Sequence, residues 1–279
     1  MNPRLLAVLG VLVLLSLGAG AGTFWWMRDA SDPAPIDLGT EDLPVPPFPP
    51  RIAENDQYDK CMTMLAEDPE GAETIAATWQ QRGGGDAATH CQALAMIASG
   101  DPETGAEMLE DLAHGATVQG LTRVVLLGQA AQARLMADQA EPALKDTTEA
   151  LAIAPDDPDL LIGRATASDS LGRSAEAMDD LNRALLLDAA RGDALVLRAA
   201  VWRRLDMLTE ARSDIDKALG LDPDDTEALL ERGILRQRMG DLAGARADWM
   251  RAQELDPTSE TAELAAQNLT LLDAGPEKK

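Results

Sequence analysis

The feature that most constrains this chain is an internal period running from residue 158 to residue 259. Three units of equal length align there without a gap. Ala177, Ala211 and Ala245 fall in one column, Leu181, Ile215 and Trp249 in a second, Ala184, Ala218 and Ala252 in a third, and Leu187, Leu221 and Leu255 in a fourth. The first half of each unit adds Leu161, Leu195 and Leu229, then the small residues Ala165, Ala199 and Gly233. A unit of about 34 residues, with two helical patterns and small residues at fixed places, cannot bury its apolar face alone and has to stack. The expected fold is an all-α, right-handed solenoid of helical hairpins. A fourth unit precedes these from about Val124, keeping Leu127, Ala131, Ala143, Ala150, Ile153 and Pro155 but placing Thr147 in the large-residue column.

The units resemble tetratricopeptide repeats. The last matches best, with Ala228, Leu229 and Gly233 on its first helix, Gly240 and Asp241 at the turn, Ala245, Trp249 and Ala252 on the second helix, and Leu255, Asp256 and Pro257 closing it. In that family the first helices line an inner groove that takes extended or helical peptides. The resemblance carries this role, by register, to Ile162, Val196 and Leu230, then to Thr166, Ala200 and Ile234, flanked by Arg203, Arg204 and Arg238. Some members grip a terminal carboxylate with lysines and asparagines on these helices; that set is missing here, so that specificity is not carried over. An apolar stripe beside arginines implies a peptide with apolar anchors and some acidic character. The alternative is that these small apolar residues serve only helix packing.

Two further columns are charged. Arg164, Arg198 and Arg232 recur at the period, as do Asp180, Asp214 and Asp248. The arginines stand where the family more often has apolar side chains. Pairing with an aspartate of the second helix, in the same or the preceding unit, would make a charged ladder. The competing arrangement bonds each aspartate to Arg183, Lys217 or Arg251 three positions on.

Flanking the repeats, the chain changes character several times. Residues 1–28 carry an apolar run from Leu5 to Trp26 that ends in Phe24, Trp25 and Trp26. At about 1.5 Å of rise per residue, a helical run of this length crosses a hydrocarbon core of roughly 30 Å. The aromatic cluster fits an interfacial belt, so residues 5–26 are expected to be a retained transmembrane helix, with the repeats on the periplasmic or extracytoplasmic side. Ala19-Gly20-Ala21 also reads as a cleavage site, which would leave a secreted soluble protein cut near Ala21. Residues 29–52 form a proline-rich linker, holding Pro33, Pro35, Pro44, Pro46, Pro47, Pro49 and Pro50; such a chain is extended at about 3.1 Å per residue. Residues 53–123 show four helical patterns, expected as two degenerate hairpins whose columns slip against the later ones. Residues 124–259 hold four repeats, 260–273 a capping helix with Leu264, Leu269, Leu271 and Leu272, and 274–279 a tail.

The formal charge of −24 and pI near 4.3 argue against nucleic acid, whose phosphates need Lys and Arg to displace counterions. Chemistry-bearing residues are few. Cys61 and Cys91 lie on the first helices of the two degenerate hairpins, a near-repeat spacing that lets them bridge in an oxidising compartment; two unpaired buried thiols are the alternative. His90 is adjacent to Cys91, but neighbours on a helix point about 100° apart, which defeats a catalytic pair. It is expected to be an ordinary histidine near a surface. No phosphate loop, serine elbow or zinc-binding histidine pair occurs, so no metal and no cofactor is expected. The function read from the sequence is a non-catalytic, membrane-tethered scaffold that binds a protein or peptide partner in envelope biogenesis. The competing readings are a thiol-dependent redox protein or enzyme using Cys61 and Cys91, and a homo-oligomeric spacer.

Overall fold

A computed structural model of the chain describes residues 51–274. They form thirteen α-helices: α1 (Asp56–Glu67), α2 (Pro69–Gln81), α3 (Gly85–Ala98), α4 (Pro102–Ala113), α5 (Leu121–Met136), α6 (Ala140–Ile153), α7 (Pro158–Ser170), α8 (Ser174–Leu187), α9 (Gly192–Arg204), α10 (Leu208–Leu221), α11 (Thr226–Arg238), α12 (Leu242–Leu255) and α13 (Glu260–Ala274). There is no strand among the described residues. No helix there is long and apolar enough to cross a membrane. The spanning stretch expected at 5–26, nearly all of the linker, and the tail from 275 lie outside the described residues.

The helices pair in order, α1 with α2 through α11 with α12, and each second helix packs on the first helix of the next pair. First helices also meet directly, α5 on α7, α7 on α9 and α9 on α11. Local chemistry sets the boundaries. Asn55, Asp68, Asp101, Asp157, Asp225 and Asp241 accept from free backbone N–H groups at helix starts, and proline opens α2, α4 and α7, where no N–H is missed. The turn inside each repeat passes through one left-handed residue: Asp138, Gly172, Asp206 and Gly240, all at positive φ and each one period after the last.

In the last three hairpins a small residue on the first helix faces a large one on the second, and the largest side chain faces the smallest. Ala165 and Ala199 stand opposite Leu181 and Ile215, while in the last repeat Gly233 lies against Trp249. The Trp249 Nε1–H donates to the Leu230 carbonyl at 3.1 Å, so the largest core side chain leaves no polar atom unpaired. In the first regular repeat Thr147 fills the same column; it is buried and returns its hydroxyl to the Ala143 carbonyl at 2.8 Å. In the leucine column Leu187 and Leu221 are 44% and 51% exposed, while Leu255 packs against the core.

Residues 53–123 form two hairpins of the same kind. Gly100 makes the left-handed turn between α3 and α4, as Gly240 does between α11 and α12. Gly105 holds the alanine position, because a Cβ there would meet the Ala93 carbonyl at 2.7 Å. The step from Gly100 to Asp138 is longer than the period that separates Asp138, Gly172, Asp206 and Gly240. The surplus lies in the loop between α4 and α5, which Arg123 closes by donating to the Ala113 and Val118 carbonyls; this insertion is why the columns slip. At the other end α13 covers α11 and α12. Its buried side is Ala262 and Ala265 with Leu269 and Leu272 packed beside them, whereas Leu264 and Leu271 face outward.

Candidate functional site

Among the described residues, the face shared by the first helices carries a cleft at its α5 end. Shifting Ile162, Val196 and Leu230 back by one period lands on Gly128. Where each later helix projects an aliphatic side chain, α5 projects none, and a cleft of about 470 Å³ opens between α5 and α7. Val125, Gly128, Gln129, Gln132 and Leu135 line it from α5, Leu160, Ile162 and Thr166 from α7. Toward the N-termini of α7 and α9 the lining turns polar, with Asp157, Asp159, Arg191 and Asp193. An apolar cleft of this volume with a few polar groups at one end is the usual form of a binding site.

Of the residues expected to form the groove, Ile162 and Thr166 line this cleft. Val196, Leu230 and Ile234 are half-buried and pack against the core of the last repeats, and Ala200 is half-buried on α9. The three arginines are engaged inside the protein. Arg203 donates to Glu231, itself buried, and Arg204 to Asp169. Arg238 reaches the Arg203 carbonyl at 2.7 Å and Asp206 at 2.8 Å. Each bond links one first helix to its neighbour or to the turn that follows it, so these cations stitch the inner face, with Arg204 and Arg238 still 41% and 39% exposed. Val125, Gly128, Gln129 and Gln132 have no expected role in the sequence reading. The signal is present in the register, since Gly128 and Gln132 sit one period before Ile162 and Thr166.

Below the cleft lies a buried polar chain. The Tyr58 hydroxyl contacts His90 Nδ1 at 2.7 Å, and His90 Nε2 contacts Gln129 Oε1 at 2.7 Å. With the Gln129 amide oxygen turned to His90, Nε2 carries the proton and Nδ1 accepts from tyrosine. His90 is fully buried, not near a surface as expected. Burial holds its pKa down to about 4, against a smaller opposing effect of the Gln129 hydrogen bond. Burial likewise raises the Tyr58 pKa. The other end of Gln129, its Nε2, is buried without an acceptor. Beside this chain the structure joins Cys61 to Cys91, with Cα atoms 6.3 Å apart, tying α1 to α3. Both cysteines are fully buried.

The arginine and aspartate columns meet within each repeat. Arg164 binds Asp180 through two bonds of 2.7 Å, Arg198 binds Asp214 at 2.7 and 2.9 Å, and Arg232 binds Asp248 at 3.0 and 2.7 Å. All three aspartates are buried. Of the competing partners only Lys217 reaches its aspartate, at 3.3 Å, while Arg183 and Arg251 turn to Asp156 and Asp224 in the loops between repeats. The aspartate column extends one repeat further toward the N-terminus, to Asp146, which Arg134 serves at 2.8 Å from one turn further along its helix. Arg134 also binds Glu110. Burial and the Glu110 carboxylate together push Asp146 up to about 6 despite its arginine.

This stack of paired helices, with small residues at the close approaches and a peptide-sized cleft on the inner face, is the tetratricopeptide repeat fold. Solved structures share it. A thermophilic tetratricopeptide protein of Thermus thermophilus, TTC0263, is 19% identical over 66% of this chain and 99% of its own, with a TM-score of 0.57. PilF of Pseudomonas aeruginosa is 14% identical over 76% of this chain and 96% of its own, at 0.58. A tetratricopeptide repeat protein of Parabacteroides merdae is 17% identical over 79% and 75%, at 0.51. At these identities the likeness is one of fold. No protein-family model matches the chain, and no curated protein is significantly similar to it.

Proposed function

We propose that the protein is a non-catalytic adaptor that holds a segment of a partner protein in the cleft between α5 and α7. The observation that carries this reading is Gly128: the one position of its column without a side chain coincides with a cleft of about 470 Å³ on the described inner face. The apolar run of residues 5–26 supports a membrane tether, and the prolines of residues 29–52 support a stand-off of tens of ångströms. In that arrangement the repeats face an envelope compartment, where the Cys61–Cys91 bridge is at home and envelope biogenesis is the natural setting. Cleavage near Ala21 would release the same adaptor as a secreted protein.

A redox role for the cysteines is disfavoured by their complete burial, since exchange needs an attacking thiolate to reach a sulfur. A homo-oligomeric spacer would need the mass in solution to be a multiple of the chain. The adaptor reading is tested by Gly128→Leu. Leucine raises helix propensity and fills the cleft, but a Cβ at residue 128 would lie 3.2 Å from Leu160 Cδ2, so that side chain has to shift by a few tenths of an ångström. With thermal unfolding showing the variant folded, it should lose its partner, and Gly128→Ala should weaken the partner less. Retention of the partner at wild-type level would end this reading.

A further inference from the structure

We infer that the α5–α7 cleft selects a peptide carrying lysine or arginine next to its apolar anchors. This deepens the proposed function and rests on the cleft being the binding surface. It also inverts the expectation of an acidic ligand, which depended on Arg203, Arg204 and Arg238 being available. Those arginines are bonded to Glu231, Asp169 and Asp206.

What remains exposed at the cleft is negative. Arg191 is the one cation among the described residues that line it, and it is held by Asp159 at 2.7 Å and Asp193 at 2.6 Å. Its side chain is only 24% exposed, against 81% for Asp159 and 49% for Asp193. Asp157, whose Oδ1 caps α7, adds a third carboxylate to the lining, so three carboxylates share this end of the cleft with one enclosed guanidinium. The excess continues along the face: Glu227 sits one period after Asp193, with Asp225 beside it. A cation entering here finds carboxylate oxygens with unused acceptor capacity, whereas an incoming carboxylate finds like charge. The apolar walls take the anchors.

The test measures binding of two fluorescent peptides of equal length to the full chain in an uncharged detergent. Both share an alanine and leucine frame; one carries two lysines and the other two glutamates. The lysine peptide should bind about tenfold tighter at low salt, with the ratio shrinking as salt rises. Glu227→Gln, which frees no arginine, should reduce the ratio about threefold, and Asp159→Asn with Asp193→Asn should reduce it further. Because a net charge of −24 attracts any cationic peptide, Gly128→Leu serves as the charge-neutral control and should abolish the tight phase. Equal binding of both peptides, abolished by Gly128→Leu, would overturn the charge preference and leave the groove standing. Binding of both that survives Gly128→Leu would overturn the groove reading itself. Preference for the glutamate peptide, or a lysine preference indifferent to all three carboxylate substitutions, would overturn the inference.

Discussion

Trp249 occupies the space that a side chain at residue 233 would need: a Cβ built on Gly233 would fall 2.8 Å from Trp249 Cε2. The equivalent pairs are Ala165 with Leu181 and Ala199 with Ile215, so the largest side chain of its column faces the one residue that has none. Gly233→Ala should therefore destabilise by about 2 kcal/mol, overpacking outweighing the roughly 1 kcal/mol gained in helix propensity. Trp249→Leu alone leaves a cavity and should cost roughly 2–4 kcal/mol. Combined, they recreate the composition of the Ala165 and Leu181 pair, and urea denaturation should show the double variant losing clearly less than the sum. Simple additivity would mean the two sites are not coupled.

The buried ion pairs make a second claim open to measurement. Asp214 is 3% exposed and Arg198 is bonded to it twice, with Asn182 as a further partner. Asp214→Ala should lower stability by roughly 2–4 kcal/mol, because it strands a largely buried guanidinium. Replacing both partners, Arg198→Met with Asp214→Leu, should be close to neutral. If the single substitution left the unfolding midpoint unchanged, the ladder would have no part in holding the stack.

His90 ties stability to pH. Its folded pKa of about 4 lies below the unfolded value near 6.5, so between these values the unfolded chain binds the extra proton. The stability that depends on neutral His90 is complete above about pH 6.5 and is lost as pH falls toward 4. Comparison with His90→Gln isolates this contribution: the difference in unfolding free energy between the two proteins should shift against the wild type by on the order of 2 kcal/mol from pH 7 to pH 4.5. Asp146 opposes this. Its folded pKa is raised to about 6, so its contribution is present at low pH and lost as pH rises through 6. Asp146→Asn should accordingly steepen the acid limb.

Asp138 takes a left-handed conformation, φ 56°, where the next repeat has Gly172 at φ 73°. Asp138→Gly should raise stability by roughly 0.5–1 kcal/mol by removing the Cβ strain. The same change at Asp206 should gain less, since it also removes a 2.8 Å bond to Arg238. Denaturation curves of the two variants compare them directly.

The solenoid was legible because periodicity is a property of the sequence itself: Ala177, Ala211 and Ala245 announce their column without reference to anything outside it. The inner face was harder because its charges are settled by residues far along the chain. Arg203 meets Glu231 28 residues away and Arg204 meets Asp169 35 away, and neither partnership leaves a mark in either helix's own pattern. His90 looked like a surface residue because its partners, Tyr58 and Gln129, lie 32 and 39 residues off on two other helices. The α5 side of the cleft was not legible for a related reason. A groove sought as a row of apolar side chains does not register at Gly128, where the missing side chain makes the opening.

That opening is tested most directly by photo-crosslinking the full chain in its native cells. A crosslinking amino acid at Gln132 or Thr166, both lining the cleft, should capture one and the same polypeptide, and Gly128→Leu should abolish both adducts. The same probe at Asp179 on α8 or Ser213 on α10, both exposed, should capture little. Adducts formed from Asp179 and Ser213 but absent from Gln132 and Thr166 would contradict the account, placing the partner on the second helices.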